Sequence, residues 1–427
     1  MKKRILQILV AVCLLVIGIV LHDWIKGMTN LNGHKTVICI PVYGQSYALG
    51  EEAKRITDFD SLRLNYDGRI VNEKMDYVFG YFDHSSQFKQ YIKRLLHYDR
   101  KAFELSVYGM AETLVPQLGK DTIICIFPGG HGQNTITQLS KPEPCYNKFI
   151  EEIEHAYQTA KEKGWDFNVP AVCWMQGESD IAEYPDTDYK ELFHQMYNNL
   201  NEDIKQVTHQ KNDIRIICYQ SSALTKGERF KHNNFEGTEG RIPEIQMELI
   251  RDDSLIWAMG PTYPYDFVRE ALHIDAVGQK RIGNLAAKSA LGILRNEKCF
   301  KGLVPMKTIV NDNQISIVFN VPTPPLCFDT IQVNKVDHYG FNVIRNDNTD
   351  IITDVTLQND TILLTCKESP LGCKIRYGVN GDYSKGGRLH GPRGNLRDSQ
   401  GKDMKVNIAD RTYPQDNWCF IFDYLCE

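Results

Sequence analysis

Apolar residues along this chain come in two textures, and the change between them falls near residue 297. Ahead of it, short continuous β-branched runs alternate with longer amphipathic stretches. Val37, Ile38, Cys39 and Ile40, with Val42 beyond a proline, form the first run, which stops at Gly44-Gln45-Ser46. Runs of this composition bounded by turn residues read as strands buried on both faces. Similar runs cover 122–127, 169–174, 214–219 and 255–259. Between them, apolar residues at helical spacing predict helices over 101–118, 146–163, 189–208, 242–252 and 273–295. This βαβα alternation implies a parallel sheet between two helical layers, joined by right-handed crossovers.

Residues 51–98 break the alternation, being rich in charged and aromatic residues without a clean period. Such an excursion beside a strand end shapes pockets more often than cores. Beyond residue 297 the texture is different: 314–321 and 351–357 alternate, Asn359-Asp360 makes a hairpin turn, and 361–366 and 374–379 follow as short strands. Short strands separated by turn signals predict an antiparallel, β-sandwich-like domain, with residues 386–401 as a long Gly/Arg-rich loop. The expected organisation is an α/β domain over 34–296 and a β-rich domain over 297–427, closely packed because no low-complexity linker parts them.

Composition narrows the function classes. Of 427 residues, 42% are hydrophobic and 24% charged, an ordinary globular balance. The net charge of -5 and the absence of a basic stripe interleaved with aromatics argue against nucleic acid as a partner. Lys2, Lys3 and Arg4 precede an uncharged run from Ile5 to Leu21. Positive charge ahead of an apolar stretch marks residues 1–25 as a signal peptide or signal anchor. With no small-residue cleavage site after it, an uncleaved anchor is expected, and the catalytic body is expected to be exported to the periplasm or cell surface. Twelve cysteines invite a disulfide reading. Cys39, Cys125, Cys173 and Cys218, however, sit inside apolar runs as small hydrophobes. A bridge is left to the set Cys299, Cys327, Cys366, Cys373, Cys419 and Cys426, whose pairing sequence does not choose. No His/Cys cluster has metal-ligand spacing.

Candidate chemistry collects where the predicted strands end. Ser46 closes the first run, Gly129–Asn134 follows the second, Met175–Asp180 the third, and His273 opens the last helix. Open α/β sheets hold ligands at the carboxyl rim of their strands. A serine hydroxyl is a weak nucleophile without an adjacent base, usually a histidine steadied by a carboxylate. Ser46 and His273 are therefore the candidate nucleophile and base. The amides of Ser46 and Gly132 and the side-chain amide of Gln176 are candidate oxyanion donors, with Gln45 and Asn134 as further oxyanion or substrate contacts. Gly129–Asn134 lacks the Gly-Lys-Ser/Thr of a phosphate-binding loop.

These blocks carry a resemblance. Gly44-Gln45-Ser46, the segment GGHGQNTITQLSK, Trp174-Met175-Gln176-Gly177-Glu178-Ser179-Asp180 and the run from Leu272 to Gln279 resemble the ordered blocks of the SGNH/GDSL hydrolase superfamily. They are most similar to its sialate O-acetylesterase-type carbohydrate esterases, over roughly residues 37–290, and 375–399 weakly resembles the β-rich tail of such enzymes. The resemblance implies a flavodoxin-like three-layer α/β/α body, deacetylation of sugar hydroxyls through an acyl-serine, and no cofactor. It also leaves the orienting acid open. The superfamily's usual acid lies three residues before the histidine, at Glu270 here, whereas some relatives use the glutamate of Gln-Gly-Glu, here Glu178. Asp275 is less well placed, and Tyr47 stands where the family often has asparagine.

The expected function is an exported serine esterase acting on acetylated carbohydrate, with the membrane as a partner only through an uncleaved N-terminal segment. Two alternatives stand beside it: a lipid or thioester hydrolase of the same superfamily, and a non-catalytic glycan-binding protein on this scaffold. The separation of Ser46 Oγ from the His273 ring discriminates catalysis from binding.

Overall fold

The computed structural model describes residues 34–71, 103–183, 188–223 and 241–426. The N-terminal apolar segment, most of the 51–98 excursion and residues 224–240 lie outside them. Among the described residues no helix is long and apolar enough to cross a membrane.

The predicted apolar runs become one parallel sheet. Its strands are β1 (Thr36–Cys39) with its continuation β2 (Val42–Gly44), the edge strand β3 (Ile70–Val71), β4 (Thr122–Cys125) with its continuation β5 (Pro128–Gly130), the short β6 (Asp166–Asn168), β7 (Ala171–Met175), β8 (Arg215–Gln220) and β9 (Ile256–Pro261). Ile40 N–H to Cys125 O and Val42 N–H to Phe127 O, 2.9 and 3.0 Å, carry the ladder across the break at Pro41. The order runs β3, β4/β5, β1/β2, β7, β8, β9, with every pairing parallel. Without the edge strand this is the flavodoxin-like order, in which the chain leaves the first strand in one direction and later strands add on its other side. Ser46 lies just beyond that switch point.

The apolar runs are continuous because both faces are covered. Val37, Cys39, Tyr43, Trp174, Ile216 and Cys218 join one core, while Ile38, Ile40, Val42, Cys173, Met175 and Ile217 join the other. The first face packs on α3 (Pro144–Glu162), α5 (Tyr189–Thr208) and α6 (Arg241–Asp252), and the second on α2 (Ser106–Leu114) and α7 (Ala276–Leu294). Two short helices, α1 (Phe59–Asn65) and α4 (Glu178–Glu183), complete the body.

Two predicted helix boundaries shift for local reasons. The helix expected from residue 101 begins at Ser106 and passes at Val115 into a single 3-10 turn, where Pro116 has no N–H to continue the α ladder. The helix expected from His273 begins at Ala276, because Asp275 caps it by accepting the Gly278 N–H at 2.7 Å. His273 is thereby left in the irregular strap ahead of the helix.

Beyond Phe300 the chain builds antiparallel sheets. Val304–Asn311, Gln314–Asn320, Thr361–Cys366 and Ile352–Gln358 form a four-stranded sheet, and Phe341–Ile344, Lys374–Tyr377 and Phe422–Leu425 a three-stranded one. The core is continuous from body to tail, since Ile315, Ile317, Phe341 and Phe420 belong to the same cluster as Ile216. Gln220 locks the junction, its amide giving and taking hydrogen bonds with the Ile421 backbone at 2.8 and 2.7 Å. The described cysteines are free thiols, including all six of the C-terminal set.

Candidate active site

The turn that carries Ser46 is made by glycines at close quarters. Gly44 ends β2 where a Cβ would overlap the Met175 carbonyl, and Gly130 ends β5 with φ 111°, against the Gly44 carbonyl. Only glycine tolerates that approach and that backbone. The chain then coils into one helical turn, with Ala48 N–H to Gln45 O at 2.9 Å and Glu51 N–H to Ser46 O at 3.0 Å. Ser46 stands at its start, 3% exposed. Among the described residues neither the Ser46 N–H nor the Gly132 N–H meets a backbone acceptor. Gly132 lies two residues past Gly130, which pairs with Gly44, so both amides sit at the same rim.

His273 reaches this turn from the opposite side. Its Nε2 lies 2.8 Å from Ser46 Oγ, within the reach that proton transfer requires. Its Nδ1 lies 2.8 Å from Glu52 Oε2. Glu52 is therefore the carboxylate that orients the ring, and both candidates read from the sequence are corrected. Glu270 points away from the histidine to His390 and Lys385, at 2.5 and 3.5 Å. Its φ of 52° and that of Arg269, 55°, turn the strap so that the two side chains diverge. Glu178 is buried behind the site, accepting from Tyr219 Oη at 2.5 and 2.7 Å and from Ser221 Oγ at 2.7 Å.

Glu52 escapes sequence reading because its placement depends on the turn. Residues 44–51 complete one coil, and Glu52, with φ 64°, reverses the chain so that its side chain returns beside Ser46. The one available signal is an acidic pair, Glu51-Glu52, directly after Gly50. Arg269 holds the other Glu52 oxygen. The hydrogen bond from His273, followed by its charge and that of Arg269, holds the Glu52 carboxyl below its usual range. Burial instead pushes Glu178 up, only partly offset by its hydroxyl donors. The two glutamates thus differ in kind: one is an anion beside a base, the other a buried acid biased toward its neutral form.

Tyr47 also acts on the histidine. Its hydroxyl donates to the Leu272 carbonyl at 2.5 Å, and its ring lies 5.4 Å from the His273 ring. Gln176 does not serve as an oxyanion donor, because its amide is spent on Asp180 and on the Asn134 carbonyl, and its oxygen accepts from Tyr189 Oη at 2.9 Å. Gln45 is likewise internal, its Oε1 taking the Ser179 N–H at 3.2 Å. Asn134 directs its amide to Cys145 Sγ at 3.7 Å. Two motif glutamines thus brace the rim on which Ser46 sits. Among the described residues no group of histidine, cysteine and acidic side chains is placed to hold a metal ion.

Residues 107–292 match the family described as carbohydrate esterase, sialic acid-specific acetylesterase. That match contains Glu178 and His273 and begins after the turn that carries Ser46. In structure the chain is similar to a carbohydrate acetylesterase from Xanthomonas citri, at 13% identity and a TM-score of 0.58, over 91% of this chain and 80% of that one. A protein from Arabidopsis thaliana aligns at 16% identity and a TM-score of 0.41, over 61% of this chain and 99% of that one. NanS aligns at 15% and 0.40, over 62% and 99%. The first of these likenesses supports the three-layer fold. No curated protein matches the chain significantly.

Proposed function

We propose, from the premise that the match over residues 107–292 makes this protein a carboxylic ester hydrolase of the carbohydrate-esterase type, that it is an exported serine esterase removing O-acetyl groups from glycans. The observation that carries the reading is the unbroken line from Ser46 Oγ to His273 Nε2 and from Nδ1 to Glu52, 2.8 Å at each step. Export rests on the basic residues Lys2, Lys3 and Arg4 ahead of an apolar run.

Each group then has a role. Glu52 accepts a hydrogen bond from the Nδ1–H and so leaves Nε2 with a free lone pair toward Ser46. As Ser46 Oγ attacks the acetyl carbonyl, its proton passes to Nε2, and the Glu52 carboxylate stabilises the imidazolium that forms. The carbonyl oxygen gains charge at the rim, where the Ser46 and Gly132 amides are free to donate. Each such donor contributes about 3 kcal/mol to transition-state stabilisation. Collapse of the tetrahedral species breaks the bond to the sugar oxygen, which takes the proton from Nε2. Water repeats the sequence on the acetyl-serine, with His273 again the base.

Ser46→Ala tests the reading. Its turnover of an aryl acetate is expected to fall by about 10⁶-fold, with an unchanged circular dichroism spectrum. Undiminished turnover sinks the assignment. A panel of acetylated sialic acid, xylan and other glycans, run in parallel, names the sugar.

A further inference from the structure

We infer that the C-terminal β-rich region is a working part of the esterase site: the loop from Lys385 to Gly391 locks the strap that presents His273 and Arg269. The inference rests on the serine-esterase reading above and assigns positioning roles to Glu270, His390 and Lys385.

The strap from Thr262 to Asp275 has little structure of its own. Its regular contacts are a single 3-10 turn at Val268–Glu270 and one bridge between Phe267 and Ile274. Arg269 and Glu270 both adopt left-handed backbone, φ 55° and 52°. Two consecutive non-glycine residues in that region persist only where the surroundings over-determine them.

The surroundings come from more than a hundred residues later in the sequence. Gly386 N–H donates to the Glu270 carbonyl at 2.8 Å, and Arg388 N–H to the Tyr265 carbonyl at 3.0 Å. His390 Nδ1 and Lys385 Nζ take the two Glu270 carboxylate oxygens, and Arg388 Nε pairs with Asp266 at 2.8 Å. Gly386 lies so close that a Cβ there would overlap the Ala271 carbonyl and the Phe267 ring. The loop is itself anchored, by Asp382 N–H to His390 O and Asn334 N–H to Arg388 O, at 2.8 and 3.0 Å.

The fixed point at Glu270 leads into the chemistry. Glu270 follows Arg269, whose guanidinium holds Glu52, and precedes Leu272, whose carbonyl takes the Tyr47 hydroxyl. His273 is the next residue. A strap released from the 385–391 loop therefore loosens the base and its carboxylate together, while Ser46 stays fixed by the sheet. A misplacement of about 1 Å in such a group costs about 100-fold in rate.

The test reads Ser46 reactivity directly with a p-nitrophenyl alkylphosphonate. Ser46 Oγ bonds to phosphorus, p-nitrophenolate leaves, and the serine proton passes to His273. The released phenolate gives both the fraction of working sites and the rate per site. In the full chain, Lys385→Ala with His390→Ala is expected to slow labelling about 3- to 10-fold with full amplitude, since each exposed pair is weak. Gly386→Val is expected to slow it about 100-fold. Aryl-acetate kcat is expected to fall in step, with KM within about twofold. Arg345→Ala, which breaks the distant pair with Glu368, serves as the control at wild-type rate. A wild-type labelling rate in the clamp variants overturns the inference. So does a lost amplitude with an unchanged rate per site, which signals a purely structural role. Labelling of Ser46→Ala at the wild-type rate would instead overturn the esterase reading itself.

Discussion

Ser46 and His273 meet across 2.8 Å, yet the turn that carries the serine and the strap that carries the histidine are held in opposite ways. The turn grows out of the sheet. Its first residues extend β2, its glycines press on neighbouring carbonyls, and Tyr43 stacks on Phe149 at 4.3 Å in the core. The strap leaves β9 and crosses the rim with irregular backbone, tied down by Tyr47 and Arg269 within the body and by the C-terminal loop from outside. Rigidity is therefore unequal across the Ser46–His273 pair. The serine is positioned by folding itself, whereas the histidine is positioned by contacts that can be removed singly without dissolving the core.

The largest break in that comparison is expected at Glu52, which belongs to the serine's turn but acts on the histidine. Glu52→Gln keeps the shape and offers Nδ1 a neutral partner, so the ring loses its preference for the productive tautomer. A fall in kcat of about 10³- to 10⁴-fold is expected, measured on an aryl acetate, with KM and melting temperature near wild type. Retention of more than a tenth of wild-type turnover breaks the account of the strap.

A smaller effect sharpens the comparison at Glu178, the carboxyl that the motif places at the rim but the fold buries. Its pKa is raised in the folded state, so the protonated form is the one folding favours. Its stabilising share is fully present below the unfolded value, about 4.3, and is lost as pH rises toward the raised folded value. Glu178→Gln removes that loss. The melting temperature of the variant relative to wild type is expected to climb with pH from about 4 and then level off. A difference that stays flat across the range contradicts a buried, proton-favouring Glu178.

Much of the fold was legible in the sequence because burial leaves a pattern. Strands buried on both faces leave unbroken apolar runs, so the sheet, its order of elements and the polar rim could be read from 37–40, 122–127 and 169–174. Ser46 and His273 stood out because each follows a strand end or precedes a helix. The acid did not stand out, because a left-handed residue at the end of a coil leaves no periodic mark, and Glu52 is such a residue. Gln176 and Glu178 misled for the converse reason. Their motif is strong, but a glutamine bonded to Asp180 and Tyr189 and a glutamate bonded to Tyr219 and Ser221 build the rim and do not face the reaction. The grip of the C-terminal loop on the strap joins residues about 120 positions apart in sequence, the separation of His390 from Glu270, which no local pattern encodes.

The central claim is that Glu52 fixes the His273 tautomer so that Nε2 can take the Ser46 proton. Nitrogen-15 NMR of the full chain labelled at histidine tests it at neutral pH, with His273→Gln assigning the signals. Nδ1 of His273 is expected to carry the proton, with Nε2 the unprotonated, accepting nitrogen, and Glu52→Gln is expected to mix the two tautomers. A His273 protonated at Nε2 in the wild type, or a tautomer indifferent to Glu52→Gln, would contradict it.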